Sequence, residues 1–116
     1  MQVLVYRFPI GWTARKPRLW LTAFPCVMQA NKSPGNLTVG MINRKSYMIA
    51  YSVWGSEEAL LQFERSQIHT QTMQDLQEFT SYEEMHLECH SVPDDMEVER
   101  VVNQLILEGN DVEFAW

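Results

Sequence analysis

The sequence has 116 residues, of which 46% are hydrophobic and 21% are charged, and its net charge at pH 7 is −6. These values are ordinary for a globular protein, and no stretch approaches the roughly 20 apolar residues that a membrane helix needs. Nucleic acid is a poor partner, because phosphate binding draws on clustered Lys and Arg and this acidic chain has nine of them in total.

The N-terminal residues and the two cysteines indicate the cellular location and the state of the thiols. The first residues lack a basic segment followed by a long apolar run, so we predict no secretory signal and a cytoplasmic location. Cys26 and Cys89 lie in apolar contexts without a Cys-x-x-Cys spacing, which favours buried free thiols over a disulfide or a metal site. We expect one domain over residues 1–116, with its core in 1–92 and a C-terminal helix and tail in 93–116.

The first two predicted elements are a strand and a helix. Gln2–Phe8 is rich in β-branched and aromatic residues, which predicts a strand. A helix is predicted from Pro17 onwards, and Pro25 lies inside it. Since proline removes a backbone hydrogen bond, we expect a kink or a restart there. The positions with helical spacing are Trp20, Phe24, Val27, Met28 and Asn31.

The next two predicted elements form a hairpin. Leu37–Ile42 and Ser46–Trp54 read as strands joined by a polar turn, so they should pair in antiparallel fashion. Neither strand alternates cleanly between apolar and polar residues. Both faces of the sheet should therefore be covered, by helices on one side and by a second subunit's sheet on the other.

The hairpin leads directly into a helical region that the pattern divides into two pieces. Ser56 is a suitable N-cap for the first piece, which carries Phe63 on its apolar face. The apolar positions then shift phase to His69 and Met73, which predicts a break at Ser66-Gln67 with Ser66 capping the second piece. His69 would lie in the first turn of that piece.

A fourth strand and a last helix complete the prediction. Glu84–Val92 is the fourth strand, and the order β-α-β-β-α-β predicts a ferredoxin-like α+β sheet. Asp94 is the expected N-cap of an amphipathic helix that Gly109 would end, and the tail Val112–Trp116 should dock on the sheet or on a second subunit. The apolar face of this helix consists of Val98, Val101, Val102 and Leu105.

Several segments together resemble a known family. They are Ser33-Pro34-Gly35, the run from Ser52 to His69, Val92-Pro93, and the ending Glu113–Trp116. In this order they resemble a family of short bacterial proteins, the domain of unknown function thirty-two ninety-one, which looks like a branch of the dimeric α+β barrel superfamily. That superfamily includes antibiotic-biosynthesis-type, spheroidene-type and haem-degrading monooxygenases.

The resemblance implies a homodimer in which each subunit holds an apolar small molecule between its sheet and its helices. Phe63 and Met73 stand where haem-degrading members carry Trp and His, which argues against haem degradation by that route. The sequence itself shows no cofactor motif, so we expect no cofactor, although it leaves a bound haem or flavin open. It also shows no glycine-rich phosphate loop and no nucleophile elbow.

The candidate catalytic residue is His69, and the resemblance puts a histidine there too. A histidine near a helix N-terminus is held neutral by the helix dipole and can act as an acid or base. The alternative is a core histidine with a satisfied hydrogen bond. The candidate pocket residues are Trp54, Tyr6, Tyr51, Phe63 and Met73, although Trp54 also reads as a core plug between strand and helix.

The fourth strand carries three residues of metal-binding types. His86, Glu88 and His90 alternate and would share one face, but no fourth ligand is apparent, so we interpret this face as solvated and predict no metal site. Two classes of function remain. The first is a monooxygenase-like enzyme acting on an apolar or aromatic substrate, and the second is a non-catalytic ligand-binding or dimerisation module.

Overall fold

The computed structural model describes residues 1–11 and 15–107. The predicted Gly109 cap and the docked tail Val112–Trp116 lie outside these residues. Within them, no helix is both long and apolar enough to cross a membrane. The elements, in chain order, are β1 (Gln2–Phe8), α1 (Arg15–Lys32), β2 (Asn36–Asn43), β3 (Met48–Trp54), α2 (Glu57–Glu64), α3 (Gln67–Gln77), β4 (Glu83–Glu88) and α4 (Asp95–Leu107).

The four strands form one antiparallel sheet in the order β2-β3-β1-β4. Two crossover connections join strands that are not neighbours, which is the ferredoxin-like arrangement predicted from the sequence. The predicted fourth strand was too long, because β4 ends at Glu88 rather than at Val92. Glu88 pairs with Gln2, the first residue of β1, and just outside the strand Cys89 still exchanges backbone hydrogen bonds with Met1.

Side chains alternate between the two faces of the sheet. Leu4 and Phe8 of β1 join the apolar cluster that α1, α2 and α3 cover, whereas Val3 and Val5 join the cluster that α4 covers. The second face, for which the sequence predicted a partner's sheet, is thus occupied by α4 of the same chain. The two cysteines are free and buried as predicted, Cys26 in the first cluster and Cys89 in the second.

Local signals fixed the boundaries of three helices. The Ser56 hydroxyl accepts from the backbone N–H of Ala59, and the Ser66 hydroxyl accepts from that of His69, so the predicted break between α2 and α3 is confirmed. The Asp94 carboxylate caps α4 by accepting from the N–H of Glu97 at 2.8 Å. The buried face of α4 is the predicted one: Val98, Val101, Val102 and Leu105.

The buried face of α1 differs from the prediction. The predicted face included Phe24 and Met28, but 54% and 39% of these residues are exposed. Small side chains are buried in their place, and they allow the helix to lie close to the sheet. The restart at Pro25 was also wrong, because α1 continues through it. Pro25 is exposed, so the carbonyl that loses its donor can bind water. The buried face consists of Lys16, Leu19, Ala23, Cys26 and Ala30.

Gly35 is the turn residue between α1 and β2, and replacing it with alanine should destabilise the fold. Its φ is +83°, and a Cβ there would lie 2.5 Å from the Ala59 Cβ. The left-handed backbone alone costs about 1–2 kcal/mol for a residue with a side chain. Urea unfolding should show at least this loss. Gly55→Ala is the matched control, because its Cβ would meet nothing nearer than 3.7 Å; equal effects of the two substitutions would contradict the prediction.

Candidate functional site

An apolar cavity of about 60 Å³ lies between the sheet and the helices α1 and α3. Since one water molecule needs roughly 10–15 Å³ of such space, the cavity has room for a few waters, and a larger ligand would have to displace side chains. Methionine is well suited to such adjustment, because its side chain is unbranched and flexible. The methionines that line the cavity are Met41, Met48 and Met73.

His69 contributes a polar group to this apolar wall. It is the third residue of α3, and only 7% of it is exposed. Its Nδ1 lies 3.2 Å from the backbone carbonyl oxygen of Glu64, and its Nε2 lies 2.8 Å from the Tyr6 hydroxyl. A carbonyl oxygen can only accept, so Nδ1 carries the proton. Neutral His69 therefore presents its lone pair at Nε2, and the Tyr6 hydroxyl donates to it.

The Tyr6 hydroxyl has a second acceptor nearby. Tyr6 of β1 and Glu84 of β4 are directly opposite in the sheet, and the Tyr6 hydroxyl lies 3.2 Å from Glu84 Oε1. The phenol has one proton, whereas the His69 lone pair and the Glu84 carboxylate can both accept it. Tyr6 therefore stands between a buried base and a carboxylate on an exposed residue.

Burial keeps both members of the Tyr6–His69 pair uncharged. Desolvation lowers the pKa of His69, while its hydrogen bond to Glu64 and the charge of Glu84 oppose this shift. Desolvation also raises the pKa of Tyr6, and the neighbouring Glu84 carboxylate adds to the rise. His69 is thus a neutral base, and Tyr6 keeps its proton, which is the combination that a proton transfer from a bound molecule requires.

The lowered pKa of His69 predicts a loss of stability in mild acid. Unfolded His69 titrates near 6.5, so between that value and its lower folded pKa the unfolded chain binds more protons. The free energy of unfolding therefore falls as the pH drops through this window, by about 1.4 kcal/mol per unit of pKa difference. The free energy of unfolding can be measured with urea at several pH values between about 7.5 and 5. It should fall less steeply with pH for His69→Gln than for wild type. Equal pH dependence for wild type and His69→Gln would contradict the prediction.

The structure brings four of the predicted site residues to the cavity. Tyr6, His69, Phe63 and Met73 all line it, and the Phe63 and His69 rings meet edge to face with centroids 5.1 Å apart. Trp54 lies behind this wall. It is fully buried, stacks on Phe63 at a centroid distance of 5.0 Å, and donates from its indole nitrogen to the Ser52 hydroxyl. Trp54 therefore fills the core between β3 and α2.

The Tyr51 side chain lies on the opposite face of the sheet. Residue Tyr51 borders the cavity through the sheet, but its ring belongs to the cluster under α4 and packs over Gly40. Its hydroxyl donates to the Asp95 carboxylate at the start of α4. Tyr51 therefore directs its hydroxyl to α4 rather than to a molecule in the cavity.

The two histidines of the β4 region do not share one face of the strand. β4 ends at Glu88, so His90 lies outside the strand. Among the described residues, ligand atoms of Glu64, Glu84 and His86 instead lie within 4.8 Å of one another. Glu84 and His86 are exposed, and exposed acidic groups often meet in this way without an ion, so we assign no metal to them.

Comparison with known proteins identifies the fold. No protein-family model matches the sequence, and no curated protein matches it. Among solved structures, SnoaB, a cofactor-independent oxygenase from Streptomyces nogalater, superposes with a TM-score of 0.66 and 12% identity, over 80% of this chain and 97% of that one. A candidate antibiotic biosynthesis monooxygenase from Deinococcus radiodurans gives a TM-score of 0.69 and 12% identity, over 81% and 97%.

A third solved structure agrees with these two. Rv0793 from Mycobacterium tuberculosis gives a TM-score of 0.66 and 10% identity, over 82% of this chain and 99% of that one. At such identities the likeness shows the fold alone. The fold is that of the antibiotic-biosynthesis-type monooxygenases, as the sequence resemblance implied, with α4 as a C-terminal helix.

Proposed function

We propose that this chain is a small-molecule oxygenase whose Tyr6–His69 pair removes a proton from an apolar substrate. The observation that carries the proposal is the 2.8 Å contact between Tyr6 Oη and His69 Nε2 at the wall of an otherwise apolar cavity. A structurally similar protein is a cofactor-independent oxygenase, which supports oxygen as the second substrate. A shared fold does not decide function, so the site has to carry the argument.

The proposed reaction begins at a CH₂ group made acidic by a neighbouring aromatic ring or carbonyl. Its proton passes to the Tyr6 oxygen as the Tyr6 proton passes to His69 Nε2. The substrate carbanion then donates electrons to O₂ and forms a carbon–oxygen bond, giving a peroxide anion. Cleavage of the O–O bond releases hydroxide and leaves a carbonyl group. Proton and hydroxide together make water, so CH₂ and O₂ become C=O and H₂O.

We propose that the substrate supplies all the electrons and that no cofactor takes part. The sequence contains no cofactor-binding motif, and a haem or flavin ring would fit the 60 Å³ cavity only after a large displacement of side chains. The lining favours a small aromatic or aliphatic molecule, because most of the side chains that form it are apolar. The methionines of the wall would adapt to its shape.

An oxygen electrode tests this proposal. Purified protein, treated with a chelator, is mixed with a panel of apolar compounds that carry an activated CH₂ group, and oxygen consumption is recorded. We expect protein-dependent uptake of one O₂ per carbonyl formed with at least one compound. Compounds that bind without any oxygen uptake would instead support the non-catalytic ligand-binding module, for which His69 is a structural residue.

We also propose that the chain works as a homodimer. Exposed apolar side chains at positions 21, 24 and 28 form a stripe along the outer face of α1, which is typical of a surface that packs against a partner. The face under α4 is occupied within the chain, so α1 is the better candidate for contact between subunits. Light scattering should give twice the chain mass of 13.6 kDa, and the single mass would contradict the proposal.

A further inference from the structure

His69 is a buried base with little exposure to bulk water. Only 7% of it is exposed, and each ring nitrogen has a hydrogen-bond partner inside the protein. The cavity beside it is lined mainly by apolar side chains, which neither accept nor release protons. A base in this position needs a path by which it returns to its neutral form after each turnover.

The Tyr6 hydroxyl provides such a path. It lies 2.8 Å from His69 Nε2 and 3.2 Å from Glu84 Oε1, so the three groups form a continuous chain. Glu84 is exposed at the edge of the sheet, which brings one end of the chain to solvent. The direct pairing of Tyr6 with Glu84 across β1 and β4 holds this geometry in register.

We propose that Glu84 is a proton-relay residue that exchanges protons between solvent and His69 through the Tyr6 hydroxyl; its catalytic use rests on the proposed function. Protonated His69 donates its Nε2 proton to the Tyr6 oxygen while the Tyr6 proton moves to Glu84 Oε1, and Glu84 releases that proton to water. The hydroxide from the substrate takes one proton from solvent as it leaves, so no net proton is gained or lost.

The relay moves one proton in and one proton out of Tyr6 at the same time. Burial raises the pKa of Tyr6, so a free phenolate is disfavoured and the two transfers have to be concerted. Three further titratable groups face the chain. The Tyr82 ring meets Tyr6 edge to face, and His86 Nε2 lies 3.4 Å from Glu84 and 3.7 Å from Glu64.

Glu64 could compete with Glu84 for the proton, but the geometry favours Glu84. The Oε1 atom of Glu64 is buried and accepts no hydrogen bond, so it does not accept from the Tyr6 hydroxyl. It bonds to His69 through its backbone carbonyl, which cannot take up a proton at any accessible pH. The Glu84 carboxylate is therefore the acceptor that both contacts Tyr6 and reaches water.

The first test requires no substrate. NMR can measure how fast protonated His69 exchanges its Nε2 proton with water, in buffer with a chelator so that no metal occupies the nearby carboxylates. We expect exchange to slow by about tenfold or more in Glu84→Gln, because an amide is too weak a base to accept the proton. Glu88→Gln is the matched control on the same strand and should exchange like wild type. Equal exchange rates in wild type and Glu84→Gln would overturn the relay.

The second test uses oxygen consumption. Glu84→Gln should lower kcat with KM nearly unchanged, and Glu84→Asp should recover part of the loss, since only the proton path is damaged. An unchanged kcat beside slowed exchange would overturn the catalytic use of the relay. If wild type consumes no oxygen with any compound, the proposed function fails, and with it that catalytic use. The exchange rates then decide separately whether Glu84 connects His69 to solvent.

Discussion

Replacing His69 with alanine should lower oxygen consumption by about 10²–10⁴-fold, the usual contribution of a general acid–base group. The substitution removes the lone pair at Nε2 that accepts the Tyr6 proton, so a bound substrate is no longer deprotonated. Initial rates from an oxygen electrode at several substrate concentrations would show the loss in kcat. His90→Ala is the control, because His90 is exposed and lies outside the cavity lining.

The same substitution has a cost in stability that the experiment has to separate from the loss of activity. Without His69 the Glu64 carbonyl loses its donor, which costs about 1–3 kcal/mol if water cannot replace it. The protein should remain folded, and His69→Gln retains an amide that can donate to this carbonyl. Wild-type oxygen uptake in a folded His69→Gln protein would assign His69 to the core rather than to catalysis.

Replacing Trp54 with alanine should destabilise the protein by about 3–5 kcal/mol, the usual cost of removing a buried tryptophan. Trp54 is fully buried and stacks on Phe63, so its removal leaves a cavity between β3 and α2 that the surrounding helices cannot fill completely. The loss is large beside a typical total stability of about 5–15 kcal/mol. Urea unfolding monitored by circular dichroism would measure it.

Trp54→Phe separates the packing role from the hydrogen bond. Phenylalanine keeps an aromatic ring against Phe63 but cannot donate to the Ser52 hydroxyl, so its cost should be clearly smaller than that of Trp54→Ala. The sequence also allowed Trp54 to be a wall of the pocket. A folded Trp54→Ala protein with nearly wild-type stability and no ligand binding would restore that interpretation.

The parts of the fold that sequence predicts best are those set by neighbouring residues. Ser56, Ser66 and Asp94 cap helices through contacts three residues away, so their signals are local. The buried face predicted for α1 was wrong, because that prediction places the large side chains inside. The helix instead buries Ala23 and Ala30, since its distance from the sheet is set by elements remote in sequence.

The arrangement of the candidate site depends on strand register, which neighbouring residues alone do not determine. The position of His69 followed from the phase of α3, but the side on which Tyr51 points follows from its pairing partner. Tyr6 is opposite Ala50, so Tyr51 has to face away from the cavity. Glu84 could not be found from sequence, because its contact with Tyr6 spans 78 residues and requires the register between β1 and β4.

The central claim is that an apolar molecule binds between the sheet and the helices beside His69, and NMR of labelled methionine methyl groups tests it most directly. The chain has seven methionines. Met41, Met48 and Met73 line the cavity, whereas Met28 and Met96 are exposed outside it. A compound that supports oxygen uptake should shift the first three signals and leave the other two in place. Shifts confined to Met28 or Met96, with the three cavity signals unmoved, would contradict the account.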